Sequence, residues 1–156
     1  MLRCLTGAGI DVVTAANNHG GDYGPLSVAD TAMWCDKAGL VYVGIGNDPT
    51  VAQEPRLVRI GPVSAAIVGM DTTMPYFRAQ EGHPGAYHIA EDDLGVFQKE
   101  MKRLGQWAQG RCDLLILTIH WGDNWVRDTQ PAHREMARIA FEHGVALRIE
   151  GRIAGQ

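Results

Sequence analysis

The chain has 156 residues, 46% hydrophobic and 21% charged, with a formal net charge of −4. That length suits one domain with its own core, and the composition excludes a disordered chain or a coiled coil. The 14 cationic side chains are scattered, which argues against a nucleic-acid binder and against a polybasic membrane patch. The longest apolar stretch, residues 114–119, falls far short of the roughly 20 residues a membrane span needs.

In chain order, residues 2–8 read as the end of a helix stopped by Gly9. Residues 10–15 are β-branched and apolar and predict a buried strand. Residues 17–24 form a loop by composition. Residues 26–38 predict a helix with its apolar face on Leu26, Ala29, Met33, Trp34 and Ala38, closed by Gly39. Residues 40–45 predict a second strand, followed by a turn over 46–49. Residues 56–60 and 63–70 predict a hairpin across Gly61-Pro62. Residues 71–88 are irregular. Residues 90–108 predict a helix, with Leu94, Phe97, Met101, Leu104 and Trp107 at steps of three and four. Residues 113–119 carry the strongest strand signal. Residues 130–142 predict a helix with Pro131 in its first turn, and 145–149 a last short strand. Methionines and tryptophans at helical spacing read as core. Cys4, Cys35 and Cys112 lack CxxC spacing and read as small buried hydrophobes, not a disulfide framework. The first residues show no apolar targeting segment.

Strand–helix alternation predicts a layered α/β domain, mostly parallel, with one antiparallel hairpin. In such sheets ligand chemistry gathers at the carboxyl ends of strands. Two places qualify: Asn17-Asn18-His19 after the first strand, and His120-Trp121-Gly122-Asp123-Asn124 after the 113–119 strand. An Asn oxygen such as that of Asn18 can ligate a hard cation, although Asn also favours turns for backbone reasons. His19 can donate a proton or stabilise developing negative charge. His120 reads as a metal ligand or as a half-buried histidine closing its strand. Asp22 either orients His19 or caps the next helix, and capping is favoured. Asp71 reads as a further acidic group or a turn-initiating residue, with the turn favoured; His83 and His88 read as members of a lid or a solvated loop, with the loop favoured; His133 and His143 read as structural. Gly44-Ile45-Gly46 lacks the rest of a dinucleotide fingerprint, and neither GxxxxGK[ST] nor GxSxG occurs.

The run from Gly9 through Asn17-Asn18-His19, with Asp22-Tyr23-Gly24, resembles the CapA-like poly-γ-glutamate and capsule biosynthesis family. That family is in turn similar to the calcineurin-like metallophosphoesterases. The resemblance continues through Lys37-Ala38-Gly39, Gly44 to Asn47, the 56–70 hairpin, Asp113 to Gly122, His133 to Ala137 and Glu142-His143-Gly144. It covers residues 1–147. The Asn-Asn-His block and the apolar strand ending in His-Trp-Gly, in this order, carry its specificity.

The resemblance implies an α/β/β/α sandwich with a dimetal centre of divalent ions between two sheets. By carry-over, Asn18 and His120 are metal ligands, and His19 stabilises the transition state or protonates the leaving group. Asp22 and Trp121 stand behind them as pocket residues. The implied chemistry is metal-assisted phosphoester hydrolysis, in a protein of the cell envelope or exterior that works with polymer-synthesis machinery. The chain departs from the pattern at both ends. The strands that carry acidic ligands should precede residue 1, and a Gly-His-x-His segment should follow Leu147. The expectation is therefore a single, partial domain over 1–156 with weak metal binding and little hydrolysis, and with an exposed sheet edge. The competing readings are a non-catalytic interaction component and a phosphoesterase unrelated to polymer synthesis.

Overall fold

Four layers follow from which face of each strand is apolar. The computed structural model describes residues 2–122 and 128–151. Asp123 and Asn124, the tail of the second sequence-derived site, lie outside the described residues.

The larger sheet has the order β4-β5-β7-β8. Strands β4 (Arg56–Ile60) and β5 (Val63–Asp71) form the expected antiparallel hairpin. Strand β5 runs parallel to β7 (Leu114–His120), and β7 runs parallel to β8 (Val145–Gly151). Successive side chains of a strand face opposite ways. Ala66, Val68 and Met70 of β5, with Leu115, Leu117 and Ile119 of β7, enter one core cluster. They meet Phe97, Met101 and Leu104 of α4 (Leu94–Ala108) and Met136, Ile139 and Ala140 of α5 (Pro131–Glu142). Fully burying one such large apolar side chain contributes about 1.5–3 kcal/mol. This face is therefore where most of the stabilisation resides.

The second sheet is the parallel pair β1 (Val12–Thr14) and β2 (Val41–Val43). Its outer face is covered by α1 (Leu2–Gly7) and α2 (Pro25–Ala38). The layers are α1/α2, β1-β2, the four-stranded sheet, then α4/α5: the α/β/β/α sandwich that the resemblance implies.

Several local expectations need correction. Strand β1 is half-buried rather than buried, because its neighbour among the described residues is β2 alone. The strand expected over 40–45 breaks at Gly44, whose φ is +84°. The chain then leaves β2 for β3 (Ile45–Gly46), which pairs antiparallel with β6 (Gly85–Ala86). The expected turn holds a short helix, α3 (Pro49–Ala52), capped by the Asp48 carboxylate accepting from Val51 N–H at 3.1 Å. Helix α2 buries Val28, Ala32 and Cys35, not the Leu26/Met33/Trp34 face. Small side chains let the helix sit close to its sheet. Trp34 lies outside, under the Lys37 ammonium at 4.7 Å. Asp22 does not cap α2; Gly24 occupies that position without a side-chain bond. Cys35 is buried, but Cys112 is only half-buried and Cys4 is exposed.

The two sheets touch at glycines. A Cβ on Gly69 of β5 would lie 2.9 Å from Thr14 Oγ1 and 3.0 Å from Val43 Cγ2. A Cβ on Gly44 would lie 2.5 Å from Ala16 Cβ. Neither contact leaves room for a methyl group. Gly44→Ala is expected to cost about 2–4 kcal/mol, combining overpacking with a left-handed backbone. Gly61→Ala, in the open hairpin turn with nothing within 4 Å, is expected to cost only about 1 kcal/mol of backbone strain. Urea unfolding of the two variants measures the difference, and equal losses would refute close sheet contact at Gly44.

Candidate functional site

The carboxyl ends of β1, β5 and β7 converge on one small cavity. Asn18 follows β1, Thr72 and Thr73 follow β5, and His120 ends β7. These residues, with Met74, Glu91 and Gly122, line a cavity of about 200 Å³. Register brings the strand ends level, since Asp71 of β5 pairs with His120 of β7. Thr72 N–H then donates to the His120 carbonyl at 2.9 Å.

Asn18 is 8% exposed, and its side-chain amide receives no hydrogen bond from the described residues. The loop that presents it is a tight turn. His19 N–H donates to the Asn17 side-chain oxygen at 2.9 Å, and Gly20 N–H to the Asn17 carbonyl at 3.1 Å. A Cβ on Gly20 would meet the Ala15 carbonyl oxygen at 2.7 Å, so this turn needs glycine. The Asn17-Asn18-His19 order thus divides labour: the first side chain shapes the turn and the second enters the cavity.

His19 is exposed, with Nδ1 2.9 Å from the Asp22 carboxylate. An exposed pair of this kind is worth about 0–1 kcal/mol, so its consequence is orientation rather than stability. A carboxylate only accepts, so Nδ1 carries the proton and Nε2 is the free acceptor of the neutral ring. His120 is half-buried at the cavity. Burial pushes its pKa below the ordinary 6.5, Asp71 opposes that shift, and the nearby His19 adds to it. A neutral imidazole is the form that can ligate a cation.

Asp71 is more than a turn initiator. It is 1% exposed and accepts from His88 Nδ1 at 3.1 Å, Thr73 Oγ1 at 2.7 Å, Thr73 N–H at 3.2 Å and Met74 N–H at 2.9 Å. Burial alone would raise its pKa, but the bonds from His88, Thr73 and Met74 outweigh burial and hold it below the ordinary 3.8. His88 is accordingly buried, at 7% exposure, which corrects its placement in a solvated loop. His83 is exposed, as expected.

Sequence reasoning passed over Glu91. It precedes α4, and no motif marks it. His133 Nε2 donates to its carboxylate at 2.7 Å, and the His133 ring stacks on Trp121 with centroids 4.6 Å apart. Trp121 is 2% exposed within the core cluster. It therefore supports the cavity from behind, through His133 and Glu91.

The donors are chemically suited to a divalent cation: an amide oxygen, a neutral imidazole and a carboxylate. They are too few for a closed site. Among the described residues, no three His, Cys, Asp or Glu side chains stand together as a metal-holding group.

The family described as "Bacterial capsule synthesis protein PGA_cap" matches residues 1–151. The capsule biosynthesis protein CapA of Bacillus anthracis is 26% identical over 147 residues, covering 94% of this chain and 35% of that protein. A Mycobacterium tuberculosis protein named as a probable polyglutamine synthesis accessory protein is 29% identical over 158 residues, covering 94% and 40% respectively. The chain thus spans little more than a third of the length of these relatives. A crystal structure of a provisionally assigned 5′-nucleotidase from Staphylococcus aureus, in complex with alpha-ketoglutarate, superposes with a TM-score of 0.51 at 17% identity. That match covers 94% of this chain and 32% of the other, and it establishes likeness of fold.

Two outcomes are expected from the Asp71 arrangement. The folded pKa lies below the unfolded one, so the unfolded chain binds more protons between the two values. The stability Asp71 contributes is complete above the unfolded value near 3.8 and is lost as pH falls through the folded one. Asp71→Asn should cost about 2–4 kcal/mol at neutral pH and flatten stability below pH 4. Urea midpoints between about pH 2 and 6 check this, and an unchanged acid limb in the variant would refute it.

Proposed function

The chain belongs to the PGA_cap family of bacterial capsule synthesis proteins, and from that premise we propose that it serves capsule or poly-glutamate polymer synthesis through a reduced phosphoesterase-type site. The single observation that carries this reading is the convergence of Asn18, Glu91 and His120 on one cavity at the strand ends. His19 stands close enough to act on the charge of His120.

In this reading Asn18 and His120 would hold a divalent cation. Such an ion would polarise a phosphoryl oxygen. The chain's own contribution is orientation and proton movement. Asp22 accepts from His19 Nδ1–H, so Nε2 is the ring atom that, when it also carries a proton, gives that proton to the leaving oxygen. Burial keeps the His120 ring neutral. The His133–Trp121 stack holds the Glu91 carboxylate at the rim. The whole of residues 1–156 would act as one partial domain of this type, with weak cation binding and low turnover, because the donors are few. The names of the relatives support polymer-synthesis machinery as the partner. Among the described residues, no helix is long and apolar enough to cross a membrane.

A second reading is favoured by the lack of a three-residue His/Cys/Asp/Glu group among the described residues. It is a non-catalytic interaction component of the same assembly. One experiment separates the two: equilibrium dialysis with Mn²⁺ alongside hydrolysis of bis(p-nitrophenyl) phosphate. The hydrolase reading expects cation binding that His120→Ala and Asn18→Ala weaken about tenfold or more. It also expects His19→Ala to keep the cation while lowering turnover about 100-fold or more. Absence of both cation and turnover gives the second reading. Binding and turnover indifferent to all three variants would reject the assigned residues.

A further inference from the structure

The outer face of α2 carries a pattern that the proposed function does not use. Val28, Ala32 and Cys35 point into the protein. Leu26, Asp30, Met33 and Lys37 follow one another at steps of four, three and four. That spacing keeps side chains on a single stripe of a helix. The stripe lies opposite the buried one, and all four residues are exposed. Leu26 is 80% exposed and Met33 38%, with Trp34 beside them at 55%. Single exposed apolar residues are ordinary, but large ones gathered on one face with a polar rim mark a contact surface.

The charges on the stripe select the occupant. Asp30 and Lys37 bracket Met33 and Trp34. About 10.5 Å of helical rise separates Asp30 from Lys37, so the two do not pair within one helix. The Lys37 ammonium instead rests over the Trp34 ring at 4.7 Å. Now consider a second copy of α2 laid antiparallel across the first. A two-fold axis passing between Met33 and Trp34 exchanges Asp30 with Lys37 and Met33 with Trp34. Each Asp30 then faces Lys37 of the second copy, and the pair forms twice. The apolar residues meet at the centre, where water is excluded. Laid parallel, the same helices would set Asp30 against Asp30 and Lys37 against Lys37, which is repulsive. The face is thus complementary to itself in one orientation, as a two-fold interface must be.

We propose that this chain pairs with a second copy of itself through the outer face of α2, the two helices antiparallel, with Leu26, Met33 and Trp34 buried between reciprocal Asp30–Lys37 ion pairs. One face of a 14-residue helix makes a contact at the low end of interface sizes. The pair is therefore reversible, half-formed at about 10–100 µM. This goes beyond the proposed function and does not rest on it.

The test is sedimentation velocity on the full chain from about 5 to about 500 µM, with a shift from monomer to dimer expected across that range. Leu26→Ala and Trp34→Ala should each raise the dissociation constant about fivefold or more. Asp30→Lys alone and Lys37→Asp alone each set like charges face to face twice, and should raise it about tenfold or more. The double variant Asp30→Lys/Lys37→Asp reverses both charges and should return the constant to within about threefold of the unaltered chain. All four side chains are exposed, so far-UV circular dichroism of the variants should match that of the unaltered chain. A monomer at every concentration overturns the proposal and leaves the face to another occupant. A dimer indifferent to the single charge changes is built on another surface and also overturns it. Single changes that weaken pairing with no recovery in the double variant reject the antiparallel arrangement.

Discussion

A single buried carboxylate ties the site end of this protein together. Asp71 takes four hydrogen bonds from three residues, and their partners lie in different stretches of chain. Thr73 and Met74 belong to the turn leaving β5, and His88 to the segment entering from β6. An unpaired carboxylate at this depth would carry a desolvation penalty of several kcal/mol. Every conformation that breaks the set is therefore disfavoured. The bonds shape the 72–74 turn that lines the small cavity, and they dock the 85–91 segment that ends in Glu91. His120 is then level with Asp71 by strand register.

Close sheet contact is the second constraint. Gly44 and Gly69 let the two sheets meet where a methyl group would collide. The β1-β2 pair has no depth of its own among the described residues. It is held between the α1/α2 layer and the face of β5. That contact brings the loop after β1, with Asn18 and His19, to the ends of β5 and β7. Residues far apart in sequence become neighbours because backbones, not side chains, form the contact.

The segment between β5 and α4 is a shared wall. Its Thr72, Thr73, Met74 and Glu91 face the small cavity. Its Arg78, Tyr87 and Ile89 face a larger cavity of about 940 Å³. Tyr87 and His88 are consecutive and both line the larger cavity, where the His88 imidazole is fixed on Asp71. The backbone of Tyr87 is also tied, donating to the Gly44 carbonyl and accepting from Asp71 N–H.

The sequence by itself determined the elements whose signal is periodic and local. The 63–70 and 113–119 strands read as apolar runs because both faces are covered. Helix α4 read from Phe97, Met101 and Leu104 because its apolar stripe is clean. The Asn18/His19 and His120 positions read as strand ends, and the family resemblance implied roles for them. What only the tertiary structure decided depends on contacts between distant segments. Asp71 and His88 looked like loop residues, since nothing local announces a partner 17 positions away. Glu91 and His133 stand 42 positions apart and meet only because α5 packs beside α4. The buried face of α2 was misread because large apolar residues lie on its outer side, and only the sheet chooses the small ones. Asp22 turned from capping to His19 because the loop folds back within three residues. Periodicity records which residues avoid water; it does not record which buried polar groups will find each other, and that pairing builds the site.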